Sequence, residues 1–280
     1  MSAMAARLRA MLRAEGMVVA PFVFDALQAK TAEAAGFEAV YMTGFGTAAS
    51  RGYPDVGLLT MAEMVANVRD LARAVGIPVI CDADTGYGNA INVRRTVREY
   101  EEAGAAALHL EDQVWPKKCG FLAGKQVIAI EDMVPKVRAA CDARRDQDMV
   151  IIARTDALAV NGWDDALRRA RAYREAGADL IFVDGIRTVE DMGRYAKALA
   201  GVPLVYNGQL LPVRDTERYG FKLMIHSATL MATYQRVRDA MRELKSLGAI
   251  SAGADFAVLE EMTDLLGVPE IRELEKRYGR

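Results

Sequence analysis

The chain has 280 residues, 52% of them hydrophobic and 26% charged, which suits a globular protein with a sizeable core. A formal net charge of −2, with no basic stretch interleaved with aromatics, argues against a nucleic-acid surface. No run of about 18 apolar residues offers a helical membrane span, and three cysteines without CxxC spacing point to a reducing, cytoplasmic setting rather than a disulfide framework or structural zinc.

The first stretch, MSAMAARLRAMLRAEG, is amphipathic and carries arginines. It contains Glu15 and lacks the apolar centre of a signal segment, so it reads as an ordinary first helix. Eight short apolar runs follow in order: MVVAPFV, EAVYMTG, IPVICDAD, AALHLED, MVIIARTDA, DLIFVDG, VPLVYNG and KLMIHSA. Between most of them lie about 10–15 residues with apolar positions at i, i+3, i+4 and i+7, as in MAEMVANVRDLARAVG and DDALRRARAYREAG. Continuously apolar strands imply burial on both faces, as in a parallel sheet covered by helices. Gly36, Gly104 and Gly177 each close a helical stretch before such a run, which makes a weak internal repeat. Eight such units predict an α/β fold, a (β/α)8 TIM-type barrel over residues 1–280, with a doubly wound open sheet as the alternative. After the eighth run come TYQRVRDAMRELKSLG and GADFAVLEEMTDLLGVPEIRELEKRYGR. Residues 241–280 therefore read as a C-terminal helical extension whose apolar stripe packs on a neighbouring subunit or on the barrel base.

In such a barrel the chemistry gathers at the carboxyl ends of the strands. The runs end in Tyr41, Thr43 and Gly44; Asp82 and Asp84; Glu111, Asp112 and Gln113; Arg154 and Asp156; Asp184; and Asn207. Acidic residues there can simply cap the next helix, a reading that suits Asp112 or Asp156 as well as a functional one does. Asp82 and Asp84, two apart, are expected on one side of a strand. Converging with Glu111, they would repel unless a cation lay between them. Oxygen ligands without a nearby histidine favour Mg²⁺, or Mn²⁺, held partly through water. Asp55 in RGYPDVGLLT joins them as a candidate, because Thr60 is better placed to cap the following helix. Arg154 either pairs with a carboxylate of this ring or meets an anionic ligand. The turn TGFG, Thr43–Gly46, offers backbone N–H groups, that of Phe45 among them, to a carboxylate or phosphate. His226 reads as a satisfied core histidine.

EDQVWPKKCGFLAGK runs from the fourth strand into a long connection with Gly120 and Gly124, the kind of loop that forms a lid. Nothing in it looks like core. Its Cys119 follows Lys117 and Lys118, whose charges are expected to lower the thiol's pKa.

Taken together, YMTG, PDVGLLT, DADTGYGN, LEDQ, PKKCG, ARTDA and YNG, in this order over about residues 17–240, resemble the isocitrate lyase/phosphoenolpyruvate mutase superfamily. The short members, 2-methylisocitrate lyase and 2,3-dimethylmalate lyase, look most similar. The resemblance implies a (β/α)8 barrel, a last helix exchanged between paired subunits of a homotetramer, a Mg²⁺ ion and a small di- or tricarboxylate or keto acid ligand. On this sequence Asp82 would bind the metal, with Asp84, Glu111 and Asp55 nearby, mostly through water. Tyr41, Thr43, Gly44 and Phe45 would hold the substrate's carboxylate. Lys117, Cys119, Gly120 and Phe121 would lie on a gating loop, with Cys119 the acid that protonates the departing carbanion. Arg154 would stabilise the developing enolate or alkoxide oxygen, and Asn207 would contact a distal carboxylate. The implied catalytic set is Cys119, Lys117, Arg154 and Tyr41. Two departures stand out: Phe121 replaces a histidine of the lyases, which suits a less polar, alkyl-substituted acid, and Asp184 replaces a glutamate. The implied activity is Mg²⁺-dependent carbon–carbon cleavage of a 2-hydroxy di- or tricarboxylate into a 2-keto acid such as pyruvate plus a smaller carboxylate. The alternatives are oxaloacetate hydrolysis or decarboxylation, phosphonopyruvate-type P–C chemistry, a metal-free Schiff-base aldolase using Lys117 or Lys118, and a non-catalytic keto-acid-binding barrel.

Overall fold

The computed structural model describes residues 3–251 and 255–279; residues 1–2 of the expected barrel domain and residues 252–254 and 280 of the expected extension lie outside them. Eight parallel strands close into a barrel in chain order: β1 Val18–Val23, β2 Val40–Met42, β3 Val79–Asp82, β4 Ala107–Glu111, β5 Val150–Thr155, β6 Leu180–Val183, β7 Leu204–Asn207 and β8 Leu223–His226. The ring closes where Val18 to Pro21 pair with Leu223 to His226, which excludes the open-sheet alternative.

The strands are buried on both faces because their side chains alternate between two apolar environments. Val40, Met42, Cys81, Leu108 and Ile151 point outward into a core shared with the helices. Tyr41, Ile80, Ile152, Phe182 and Ile225 point inward and fill the barrel. The first helix, Ala3–Arg13, adds Leu8 to this inner cluster, where it is fully buried. Leu8→Ala is expected to lower stability by about 2–5 kcal/mol, measured by urea denaturation, with little change in the distant catalytic end.

Local signals set the element ends. Thr60 and Glu63 form a reciprocal capping box at the start of the helix Met61–Ala74, so Asp55 is left free of that task. At the C-terminus, the helices Ala228–Leu247, Phe256–Leu265 and Val268–Tyr278 contain no buried residue. They expose Tyr234, Met241, Leu247, Phe256 and Tyr278. Among the described residues no helix is long and apolar enough to cross a membrane.

Candidate active site

The carboxyl ends of the strands surround a cavity of about 660 Å³. It is lined by the polar side chains of Asp55, Asp82, Lys117, Arg154, Asp184 and Asn207, by Cys119, and by the apolar side chains of Phe22, Phe45, Phe121, Leu210, Leu230 and Met231.

From β2, Tyr41 points inward and its hydroxyl lies 2.6 Å from His109 Nε2. Burial lowers the His109 pKa to about 4, so the imidazole is neutral near pH 7. Thr43 caps the short helix Gly44–Ser50. The Gly44 N–H, expected to face a substrate carboxylate, donates here to Asp82 Oδ2 at 3.2 Å. A Cβ at Gly44 would lie 2.5 Å from that oxygen, so this approach requires glycine.

The expectation that Asp82 and Asp84 share one side of a strand is not met. β3 ends at Asp82, and Asp84 sits beyond it at φ +48°. The turn carries the Asp84 N–H back onto Asp82 Oδ1 at 2.9 Å. Burial would raise the Asp82 pKa, but His109, which carries a proton only in the acid range where Asp82 titrates, together with Lys117 and Arg154 outweighs burial and holds it at about 2. For Asp84 burial dominates, raising its pKa to about 6 against the pull of Lys117. The Lys117 ammonium lies between Asp55 and Asp84, 2.5 Å from Asp55 Oδ1 and 2.8 Å from Asp84 Oδ1.

Arg154 meets Asp156 through two bonds, Nε to Oδ2 at 2.9 Å and Nη2 to Oδ1 at 3.0 Å. It also lies 3.3 Å from Glu111 and 3.4 Å from Asp184, over the Phe182 ring. Of its two readings, the structure displays carboxylate pairing at the cavity wall. Neither Asp112 nor Asp156 is a helix cap through its side chain. Asp156 makes no cap bond, and Asp112 accepts from the Asp156 N–H, Thr155, Arg169 and Tyr173.

Cys119 corrects two expectations. Its thiol is only 8% exposed, and burial raises its pKa to about 11 despite Lys117 and Arg154. The Lys117 charge is taken up by Asp55 and Asp84, and Lys118 turns away to the Gly124 carbonyl at 3.0 Å. A raised acid pKa keeps the proton on, so the thiol stays protonated through neutral pH and ionises only as pH climbs towards 11. Iodoacetamide labelling followed by peptide mass spectrometry is expected to find Cys119 slow to react up to pH 9, with the rate rising above that.

His109, Lys125 and Ser227 reach this region without having been singled out for it from the sequence, whereas Gln113 was read only as one of the residues ending the fourth strand. Period-two alternation from Glu111 would have placed His109 on the inner face. Lys125 closes the loop motif, yet its partners Asp156 and Asp184 lie far along the chain. Asn207 Oδ1 is buried without a hydrogen-bond partner among the described residues. The extent to which Phe121 projects, 77% exposed, puts its ring at the cavity mouth.

The donor set fits a hard divalent cation. Six buried carboxylates (Asp55, Asp82, Asp84, Glu111, Asp156 and Asp184) face three cations (Lys117, Lys125 and Arg154), and Glu111 Oε2 has no hydrogen bond. Among the described residues no three His, Cys, Asp or Glu side chains enclose a metal position directly. Carboxylate oxygens of this kind suit a hard cation that keeps part of its water.

A family model described as phosphoenolpyruvate phosphomutase matches residues 8–245. The 2,3-dimethylmalate lyase of Eubacterium barkeri is 46% identical over 283 residues, covering 98% of each chain. The 2-methylisocitrate lyase of Aeropyrum pernix is 40% identical, covering 98% of this chain and 90% of its own. A solved structure of oxaloacetate acetylhydrolase in complex with the inhibitor 3,3-difluorooxalacetate superposes with a TM-score of 0.93 at 36% identity, covering 99% of this chain and 98% of its own.

Proposed function

The chain belongs to the phosphoenolpyruvate mutase/isocitrate lyase superfamily, and from that premise we propose that it is a Mg²⁺-dependent lyase cleaving an alkyl-substituted 2-hydroxy di- or tricarboxylate, of the 2,3-dimethylmalate or 2-methylisocitrate type, into a keto acid and a smaller carboxylate. The observation that carries this reading is Cys119, nearly buried, lining one cavity together with Arg154, Asp82 and a set of apolar side chains; burial keeps its thiol protonated at neutral pH. In the cleavage, the substrate hydroxyl passes its proton to a carboxylate of the buried rim and becomes the carbonyl of the keto acid as the carbon–carbon bond breaks. The bonding pair passes to the departing carbon beside its carboxylate, where Cys119 Sγ–H delivers a proton. Arg154 stabilises the oxygen that carries the negative charge, and Lys117 adds positive charge close to it. Tyr41, Thr43 and the Phe45 amide orient the carboxylate of the keto-acid half, with Gly44 letting the chain pass close beside Asp82, and Asn207 meets the distal carboxylate. Mg²⁺, or Mn²⁺, would be held by Asp82, with Asp84, Glu111 and Asp55 around it through water, and would supply Lewis-acid stabilisation of the developing oxyanion. Burial under the loop strengthens these interactions and keeps water from the carbanion.

The test is keto-acid release from 2,3-dimethylmalate, 2-methylisocitrate, isocitrate, citramalate, oxaloacetate and phosphonopyruvate, each with Mg²⁺ and with EDTA. Metal-dependent pyruvate or glyoxylate from a hydroxy acid supports the lyase; activity that survives EDTA and is trapped by borohydride would instead mean Schiff-base chemistry on a lysine. The similarity to oxaloacetate acetylhydrolase favours one second reading, hydrolysis of oxaloacetate, which the same panel detects as acetate and oxalate.

Phe121 is expected to set the preference within the acids. Phe121→His replaces an apolar ring at the mouth by a hydrogen-bonding one, and should shift the ratio of kcat/KM for 2-methylisocitrate over 2,3-dimethylmalate by about tenfold towards the tricarboxylate. An unchanged ratio would remove Phe121 from the specificity argument.

The proposed assembly is a homotetramer of paired subunits, cytoplasmic, in which the exposed apolar faces of the helices within residues 241–280 seat against a second copy of the barrel. Light scattering of the purified protein measures the stoichiometry.

A further inference from the structure

We propose that Gln113 and Lys125 are positioning residues that clamp the backbone on either side of Cys119 and so fix its thiol over the cavity; this rests on reading Cys119 as the proton donor. Three consecutive residues of the loop are each tied to a different part of the barrel rim. The Gln113 side-chain amide, itself buried, pairs with the backbone of Lys118 in both directions: Oε1 accepts from the Lys118 N–H at 2.9 Å, and Nε2 donates to the Lys118 carbonyl at 2.8 Å. The same Nε2 donates to Glu111 Oε1 at 3.1 Å, so both N–H donors of the amide are committed. The Cys119 N–H donates to the Asp55 carbonyl at 3.0 Å. Lys125 Nζ donates to the Gly120 carbonyl at 3.1 Å and pairs with Asp156 at 2.8 Å and Asp184 at 3.4 Å.

Apart from these bonds and the Lys117 ion pairs with Asp55 and Asp84, the loop has little to hold it. Trp115, Phe121 and Leu122 are all exposed, so the segment buries little apolar surface of its own and depends on polar attachments. Gly120 lets the chain come close enough for them, since a Cβ there would lie 2.5 Å from Asp184 Oδ2 and 3.2 Å from Arg154 Nη2. Each clamp also touches the charged ring: Gln113 through Glu111, and Lys125 through Asp156, which holds Arg154. The position of the acid is thereby tied to the carboxylates and the guanidinium that act with it.

The experiment uses the full-length enzyme and the variants Gln113→Ala, Lys125→Met, Lys125→Arg and Cys119→Ser. Cys119 alkylation by iodoacetamide is followed by peptide mass spectrometry, and cleavage within residues 115–125 by limited proteolysis. The clamp predicts alkylation about tenfold faster in Gln113→Ala and Lys125→Met, with cleavage faster too. It also predicts kcat on the best hydroxy acid about 10²-fold lower, with KM changed much less, and partial recovery in Lys125→Arg. Folded variants whose Cys119 reacts at the wild-type rate would overturn it. Gln113→Ala removes no charge and decides the matter alone where Lys125→Met fails to fold. Faster alkylation in the clamp variants, combined with full turnover in Cys119→Ser, would uphold the clamp and reject the acid.

Discussion

Cys119→Ser is expected to lower kcat for hydroxy-acid cleavage by about 10²–10⁴-fold while leaving binding of the keto-acid product unchanged, measured by turnover and by calorimetry with pyruvate and Mg²⁺. Serine is nearly the same size, so the loop should still dock through the Cys119 N–H to the Asp55 carbonyl, which involves no side chain. What changes is acidity, because a hydroxyl is a far weaker proton donor than a thiol. Burial has already raised the Cys119 pKa to about 11, which keeps the proton in place at neutral pH without putting it out of reach of a carbanion. Retention of more than a tenth of wild-type kcat would mean that the proton comes from elsewhere.

Arg154→Met should damage both stability and catalysis, and the two losses can be separated. Asp156 is fully buried, and burial would raise its pKa, but Arg154 and then Lys125 outweigh burial and hold it well below the usual carboxylate range. Removing the guanidinium breaks a buried, two-bond ion pair and leaves Asp156 with Lys125 as its remaining cation, a loss of about 3–5 kcal/mol and about 10 °C in Tm. The sign with pH follows from the depressed pKa. Stability from ionised Asp156 is present above its unfolded pKa, near 4, and is lost as pH falls through the lower folded value. The Tm gap between wild type and variant should therefore be widest near pH 7 and narrow towards pH 3, where Asp156 in the variant takes up a proton. A constant gap across that range would point to lost packing over Phe182 instead. At pH 7, in whatever fraction folds, kcat should fall about 10²–10³-fold because the developing oxyanion loses its fixed positive partner. Arg154→Lys, which keeps the charge but not the planar fork, should recover more stability than activity.

The apolar runs that became β1 to β8 were legible because each strand is buried on both faces, so its whole composition, and not only its alternation, is apolar. Most of the residues ending those runs were legible as the rim of a site because polar side chains break off a buried apolar strand at its end; Asp112 is the exception, turned to Arg169 and Tyr173. Thr60 could be assigned as the cap of its helix, and Asp55 released from that role, from a local spacing alone.

Charge partnership was decided by the tertiary structure. Lys125 meets Asp156 and Asp184, and Arg154 meets Glu111, only because neighbouring strands bring their ends together, and nothing in the local sequence around Lys125 announces it. Burial of Cys119 under the closed loop turns a thiol expected to be acidic into one that holds its proton, outweighing Lys117, whose ammonium pairs with Asp55 and Asp84. The turn at Asp84 likewise removes it from the face of Asp82. Hydrophobic burial acts on each segment and leaves its mark there, so sequence alone determined the barrel and its rim. Electrostatic pairing depends on distances of a few ångströms between segments far apart in the chain, and those distances exist only once the barrel has closed.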